Sequence, residues 1–340
     1  MRVLVTGGAG FIGCNAAARF AGEGHDVLAL DNLSRVGSEL NAAWLRQTHG
    51  VANERVDVRD APAVAGLVAR FAPDVVVHCA GQVAVTTSVT DPRRDFEENA
   101  LGTFNVLEAV RQRASGAVFL YASTNKVYGG MEDIRIERRG ERWAYVDLPE
   151  GCSEERGLDF HSPYGCSKGA ADQYVRDYAR IYGLKTVVLR QSCIYGYRQF
   201  GVEDQGWVAW FTIRSVQDAP VTIYGDGCQV RDVLFIEDLI DAYTTAIARI
   251  DIAAGRVYNV GGGPGNALSL RELVSRLEVL NGRSLKVGHG DWRPGDQRVF
   301  VADVRRMGRE LGWAPKVGVE QGLDKLHRWV KENLAAMPRG

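Results

Sequence analysis

Two residues one helical turn apart stand out chemically. They are a phenol and an ammonium, Tyr164 and Lys168, in the stretch SPYGCSKGAADQYVRDYARIYG. Pro163 suits the first position of a helix with Ser162 as its cap, and Tyr174, Val175, Tyr178 and Ile181 recur near helical spacing. On such a helix Tyr164 and Lys168 share one face. The pair is either a structural contact or a proton-transfer unit in which the cation lowers the phenol's pKa of about 10. The spacing alone does not decide, because Y-x-x-x-K arises by chance in many helices.

A second signal opens the chain. In MRVLVTGGAGFIGCNAAARFAGEGHDVLALDN, a β-branched run from Val3 to Thr6 leads into Gly7, Gly10 and Gly13, then an Ala-rich helix and a second apolar run ending in Asp31. Glycines so spaced let the backbone turn tightly and approach a pyrophosphate seated on the helix N-terminus. Asp31, about 20 residues on, is placed to bind a ribose 2′-OH. It would also repel a 2′-phosphate, which favours NAD over NADP. The bland alternative is a glycine turn beside a surface aspartate.

Such residues need a scaffold, and the runs that follow supply one. ERVDVRD, PDVVVHCAG, GAVFLYAST and LKTVVLRQS are short, apolar and continuous, separated by helical stretches at 62–71 and 95–113. Continuous β-branched runs fit parallel strands buried on both faces. The pattern predicts an α/β fold, a doubly wound parallel sheet with ligands at the carboxyl ends of its strands. The critical positions are then Gly7–Gly13, Asp31, Asp57, Ala80–Gln82, Ser123–Lys126 and Ser192–Tyr195. Residues 129–160 are charged and aperiodic, either a substrate-covering loop or plain surface. From about 191 the character changes. The expected division is a Rossmann domain over 1–190, with 231–262 returning to it, and a smaller C-terminal substrate-binding lobe over 191–230 and 263–340.

Composition excludes several classes. At 340 residues and a formal net charge of −1 the chain has room for a large core and no electrostatic case for nucleic acid or an anionic membrane. No apolar run approaches the roughly 20 residues of a membrane span, and the first residues lack a signal-peptide pattern. Six cysteines without a C-x-x-C pair and six dispersed histidines point to reduced thiols in a cytoplasmic protein with no metal.

With the glycine loop, Asp31, YASTNKVYG and the Tyr164/Lys168 pair, the chain resembles the extended short-chain dehydrogenase/reductase family. More narrowly it is similar to nucleotide-sugar 2-epimerases of the CDP-paratose/CDP-tyvelose type. DNLSR, HCAGQVAVTTSV, STNKVYG, RQFGVEDQGWVAWF, QVRDV and DQRVFVADV carry that likeness along nearly the whole chain. The resemblance implies a tightly bound, unconsumed NAD and a nucleotide-sugar substrate, with CDP the expected nucleotide. An unactivated secondary carbinol cannot be inverted by proton abstraction, because its C–H is not acidic; transient oxidation to a ketone makes the carbon planar.

The resemblance further implies that Tyr164 is the base, its pKa lowered by Lys168 and the nicotinamide cation, and that Lys168 also binds the nicotinamide ribose. Thr124 holds the reacting oxygen. Gly7, Gly10, Phe11, Ile12 and Gly13 form the phosphate loop. Asp31, Asn32, Ser34 and Arg35 face the adenosine ribose or a phosphate, Asp57 and Val58 bracket the adenine, and Ala80, Gln82 and Ser123 lie beside the cofactor. Asn99 matches a helix asparagine with a partly structural role. Arg231 and Arg293 or Arg298 stand where pyrophosphate ligands are placed, while Asn125, Gln205 and Trp207 face the sugar or base. Cys193 replaces a phosphate-contacting asparagine. Tyr128 and His78 are expected to pack in the core.

Competing functions are a 4-epimerase, a 2-epimerase of another nucleotide sugar, a 4,6-dehydratase and a silent NAD-binding scaffold. Dehydratases place an Asp/Glu pair where STNKV offers Asn125 and Lys126, and an intact Thr124, Tyr164 and Lys168 argues against the scaffold. Helices 95–113 and 162–182 are expected to pair copies into a homodimer or homotetramer.

Overall fold

The computed structural model describes residues 1–293 and 296–338. Seven parallel strands form the main sheet: β1 (Arg2–Thr6), β2 (Asp26–Leu30), β3 (Ala52–Glu54), β4 (Val75–His78), β5 (Val118–Thr124), β6 (Lys185–Gln191) and β7 (Val257–Val260). Their spatial order is β3-β2-β1-β4-β5-β6-β7. The chain therefore winds outward in one direction from β1 and then in the other from β4. The reversal between β1 and β4 opens a crevice at the carboxyl ends of these strands.

The strand sequences explain why both faces are covered. Val3, Val5, Val75, Val77, Leu120 and Leu189 join one core with Phe20 of helix α1 (Phe11–Gly22). Their neighbours Leu4, Val76, Phe119, Tyr121 and Val188 point to the other face. There they meet α3 (Ala61–Phe71), α4 (Gly102–Arg113) and α5 (Ser162–Tyr182), which follow α2 (Ser38–His49) in the chain. Side chains alternate along a strand, so a continuous apolar run supplies two cores at once.

Residues 231–262 divide between two sheets. Val257–Val260 pairs parallel with β6 as the last strand of the main sheet. The strand Val230–Phe235 instead pairs with Ala267–Ser269, Val299–Phe300 and Cys193–Tyr195 in a second sheet. Its apolar character suits either sheet, so composition could not choose between them. The aperiodic stretch 129–160 is also more ordered than its sequence suggests. It forms a hairpin, Ile136–Arg139 with Arg142–Tyr145, and buries Met131, Tyr145 and Cys152 against Val299 and Phe300. No helix among the described residues is long and apolar enough to cross a membrane.

Candidate active site

The glycine loop joins β1 to α1, and its geometry tolerates nothing larger. A Cβ on Gly13 would stand 2.1 Å from the Gly7 carbonyl oxygen, and Gly7 itself has φ +64°. Gly10 precedes α1 and no side chain caps the helix, which leaves first-turn amides free for an anion. Phe11, Ile12 and Gly13 line a crevice together with Asp31, Asn32, Ser34, Arg35, Asp57, Val58 and Ala80.

Asp31 is buried at the end of β2. Its Oδ2 accepts from the Ala9 amide at 3.1 Å and its Oδ1 from the Leu33 amide at 2.8 Å. Burial pushes its carboxyl up while these amides hold it down. Asp57 accepts from Asn32 Nδ2 at 2.8 Å and from Arg59 through both oxygens, and the Arg59 guanidinium holds it well below the usual carboxylate range. An uncapped helix end, a floor that only glycine permits and a fixed carboxylate fit a dinucleotide such as NAD.

Helix α5 carries Tyr164 and Lys168. His161 precedes the helix, and within its first turn Ser162 Oγ accepts from the Gly165 amide at 3.3 Å, with Ser162 at φ +67° for a non-glycine residue. The helix is held at its middle. Asp172 on α5 forms a two-point pair with Arg190 of β6, at 2.9 and 3.0 Å, and accepts from Ser123 Oγ of β5 at 2.8 Å. Both partners are almost fully buried. This pair was not read from the sequence, although an arginine inside the apolar run KTVVLRQ signals a buried partner.

Tyr164, Lys168 and Thr124 are all buried. Burial pushes the Tyr164 phenol up to about 12, and the nearby Thr124 hydroxyl opposes that shift in part. The Lys168 ammonium donates to the Ala122 carbonyl at 2.6 Å and sits 4.3 Å from the centre of the Tyr121 ring. Burial lowers it to about 8. Lys168 is not among the groups that lower Tyr164, contrary to the expectation above.

Other expected cofactor residues face inward. Gln82 Nε2 donates to the Ala84 carbonyl at 2.7 Å and to Asp95 Oδ1 at 3.0 Å. Asn99 sits in a π-helical turn, Glu97–Leu101, and donates to Asp95 and Ser167 at 3.1 Å each. Its position is behind Gly81, where a Cβ would meet Asn99 Oδ1 at 2.4 Å. Ser123 is engaged by Asp172. These three side chains brace the walls and do not line the crevice. His78 lies between Thr6 and Thr103, at 2.6 and 2.9 Å, and burial lowers it to about 3, so it is a neutral core residue. Tyr128 donates to Asn259 at 2.7 Å and stacks on Phe300.

A second cavity adjoins the crevice, and Gln205 borders both. Arg231, Arg293, Cys193 and Trp207 line it, with Lys126. Arg231 pairs with Asp296 at 2.6 Å, and Arg293 approaches Asp204 at 3.3 Å and lies 4.1 Å over the Tyr224 ring. Trp207 Nε1 donates to Cys193 Sγ at 3.5 Å. Arg298 lines a neighbouring cavity instead, its guanidinium over the Trp143 and Trp292 rings. Asn125 accepts from Thr124 Oγ1 at 3.3 Å. Among the described residues no group of three or more His, Cys, Asp or Glu is gathered to hold a metal.

Comparison with known proteins agrees with this geometry. The NAD dependent epimerase/dehydratase family matches residues 3–261. CDP-paratose 2-epimerase from Salmonella typhi is 46% identical over 335 residues, covering 97% of this chain and 99% of that protein. Among solved structures, the UDP-glucose 4-epimerase of Thermus thermophilus in complex with NAD is 34% identical, with TM-score 0.82 over 97% of this chain and 99% of that one. The dTDP-glucose 4,6-dehydratase DesIV of Streptomyces venezuelae, with NAD bound, is 28% identical, with TM-score 0.85 and 99% of each chain covered.

Proposed function

The chain belongs to the NAD dependent epimerase/dehydratase family, and from that premise we propose that it inverts C2 of a CDP-activated deoxyhexose of the CDP-paratose/CDP-tyvelose type. The observation that carries this reading is the 46% identity to a CDP-paratose 2-epimerase along almost the whole of both chains. The site supports it, because Thr124 is followed by Asn125 and Lys126, neither of which can serve as the carboxyl acid or base that elimination of water requires.

The first turn of α1 with Gly7, Gly10 and Gly13 would hold the NAD pyrophosphate, Asp31 the adenosine ribose, Asp57 and Val58 the adenine, and Lys168 the nicotinamide ribose. When bound, NAD supplies reversible oxidation of the carbinol carbon and a positive ring beside the phenol. Tyr164 takes the hydroxyl proton and returns it, and Thr124 donates to the same oxygen. Arg231 and Arg293 anchor the diphosphate in the second cavity, and the hexose reaches from there toward Thr124. Several separate cofactor contacts favour slow release, so NAD is expected to remain bound through turnover.

The 34% identity to a UDP-glucose 4-epimerase favours one second reading, inversion at C4. NMR of purified protein with a panel of CDP- and UDP-sugars separates the two. Interconversion of CDP-paratose and CDP-tyvelose is expected; inversion of a UDP-hexose at C4 would favour the alternative. Exposed Phe104, Tyr174 and Ile181 on α4 and α5 support pairing of two copies through these helices.

A further inference from the structure

Lys126 has no part in the chemistry assigned above, yet it lies two residues after Thr124. Its backbone N–H donates to Thr124 Oγ1 at 3.2 Å, beside the hydroxyl proposed to hold the reacting oxygen. Its side chain lines the substrate cavity with Arg231, Gln205 and Trp207. Nζ donates to the neutral amide oxygen of Gln297 at 3.2 Å, and among the described residues it forms no ion pair. The neighbouring carboxylate, Asp296, is engaged by Arg231 at 2.6 Å. Burial, assisted by the like charge of Arg231, lowers the ammonium to about 8. An ammonium carries three donors, and a cation withdrawn from water with a single amide partner is costly to keep. Its remaining donors call for oxygen atoms brought by a ligand.

We propose that Lys126 is a substrate-binding residue that hydrogen-bonds the oxygen substituents of the hexose ring, leaving the diphosphate to the arginines. This deepens the reading above and rests on it for the presence of a nucleotide sugar in the cavity. The division of labour follows from the two side chains. A planar guanidinium matches phosphate oxygens and fixes one orientation, whereas an ammonium on a flexible four-carbon stem is a point donor that can move with its partner. Inversion requires both faces of the ring to be presented in turn. A lysine beside Thr124 can follow the ring oxygens in both orientations.

Two variants test the proposal. Lys126→Gln keeps a donor for Gln297 and removes the charge; Lys126→Met removes both. Calorimetry on the NAD-loaded protein compares CDP with CDP-paratose, alongside steady-state turnover. Affinity for CDP and NAD content should be unchanged in both variants. The additional affinity conferred by the hexose, and kcat/KM, should fall about tenfold or more in both, the scale of a lost charge-assisted hydrogen bond. Wild-type behaviour of Lys126→Gln would mean that Lys126 merely braces Gln297, and a parallel loss of CDP affinity would make it a phosphate ligand; either overturns the proposal. If the wild-type protein bound CDP-paratose without turning it over, the functional reading would fail, while the affinity difference would still decide the role of Lys126. A difference absent from the wild type, or unaltered by the substitutions, would overturn that role.

Discussion

At the scale of single residues, the proposed function gives proton transfer to Tyr164, which is buried near the Thr124 hydroxyl on the helix that also carries Lys168. Tyr164→Phe should therefore lower kcat by at least about a thousandfold, within the range for loss of a general base, with NAD content and thermal unfolding unchanged. Thr124→Ser should stay close to wild type because the hydroxyl survives. Turnover near normal in Tyr164→Phe would show that another group moves the proton. The pH profile follows from Lys168, whose ammonium is proposed to donate to the nicotinamide ribose and is lowered to about 8 by burial. Its charged form exists below that value, so kcat/KM should decline as pH rises through about 8; a profile still climbing to strongly alkaline pH would mean that this charge is not required. In the sequence the Tyr164/Lys168 spacing alone did not decide, and the resemblance supplied the roles expected of Tyr164, Lys168 and Thr124. The upward shift of Tyr164 was not legible there, since the spacing suggested lowering by the Lys168 cation whereas burial, a property of the fold, dominates.

At the scale of elements, the site depends on how α5 is fixed to the sheet. The Asp172–Arg190 pair, joined by Ser123, ties the helix to β5 and β6 well inside the core. Removing one member of such a pair leaves an uncompensated buried charge. Asp172→Ala should cost about 3–5 kcal/mol of stability, seen as an earlier midpoint in urea unfolding, and a change below about 1 kcal/mol would show that apolar packing alone holds α5. The strands of the main sheet were readable because a run apolar at every position must be covered on both faces. Val230–Phe235 was assigned to the wrong sheet, since its composition fits either and only its partners decide. The hairpin within 129–160 escaped because its strands are charged on their outer faces and bury only a few side chains, Tyr145 among them. Gln82, Asn99 and Ser123 were expected beside the cofactor on the strength of a resemblance, and two of the internal hydrogen bonds that turn them inward, Asn99–Ser167 and Ser123–Asp172, join residues far apart in sequence.

At the scale of the whole molecule, a seven-stranded sheet carries the cofactor crevice at its switch point while the second sheet and the loops around it close the adjoining cavity. The exposed apolar residues on α4 and α5 lead us to expect a dimer in light scattering, and Phe104→Glu with Ile181→Glu should shift it to monomer. An unaltered mass would place the contact elsewhere. The central claim is that oxidation and return occur on one carbon of one sugar without loss of the cofactor. The most direct measurement uses CDP-paratose deuterated at C2, incubated in ordinary water with purified protein and no added NAD, and followed by NMR. The account predicts conversion to the C2 epimer with the deuterium still on C2. Loss of the deuterium to solvent, or no inversion at C2 at all, would contradict it.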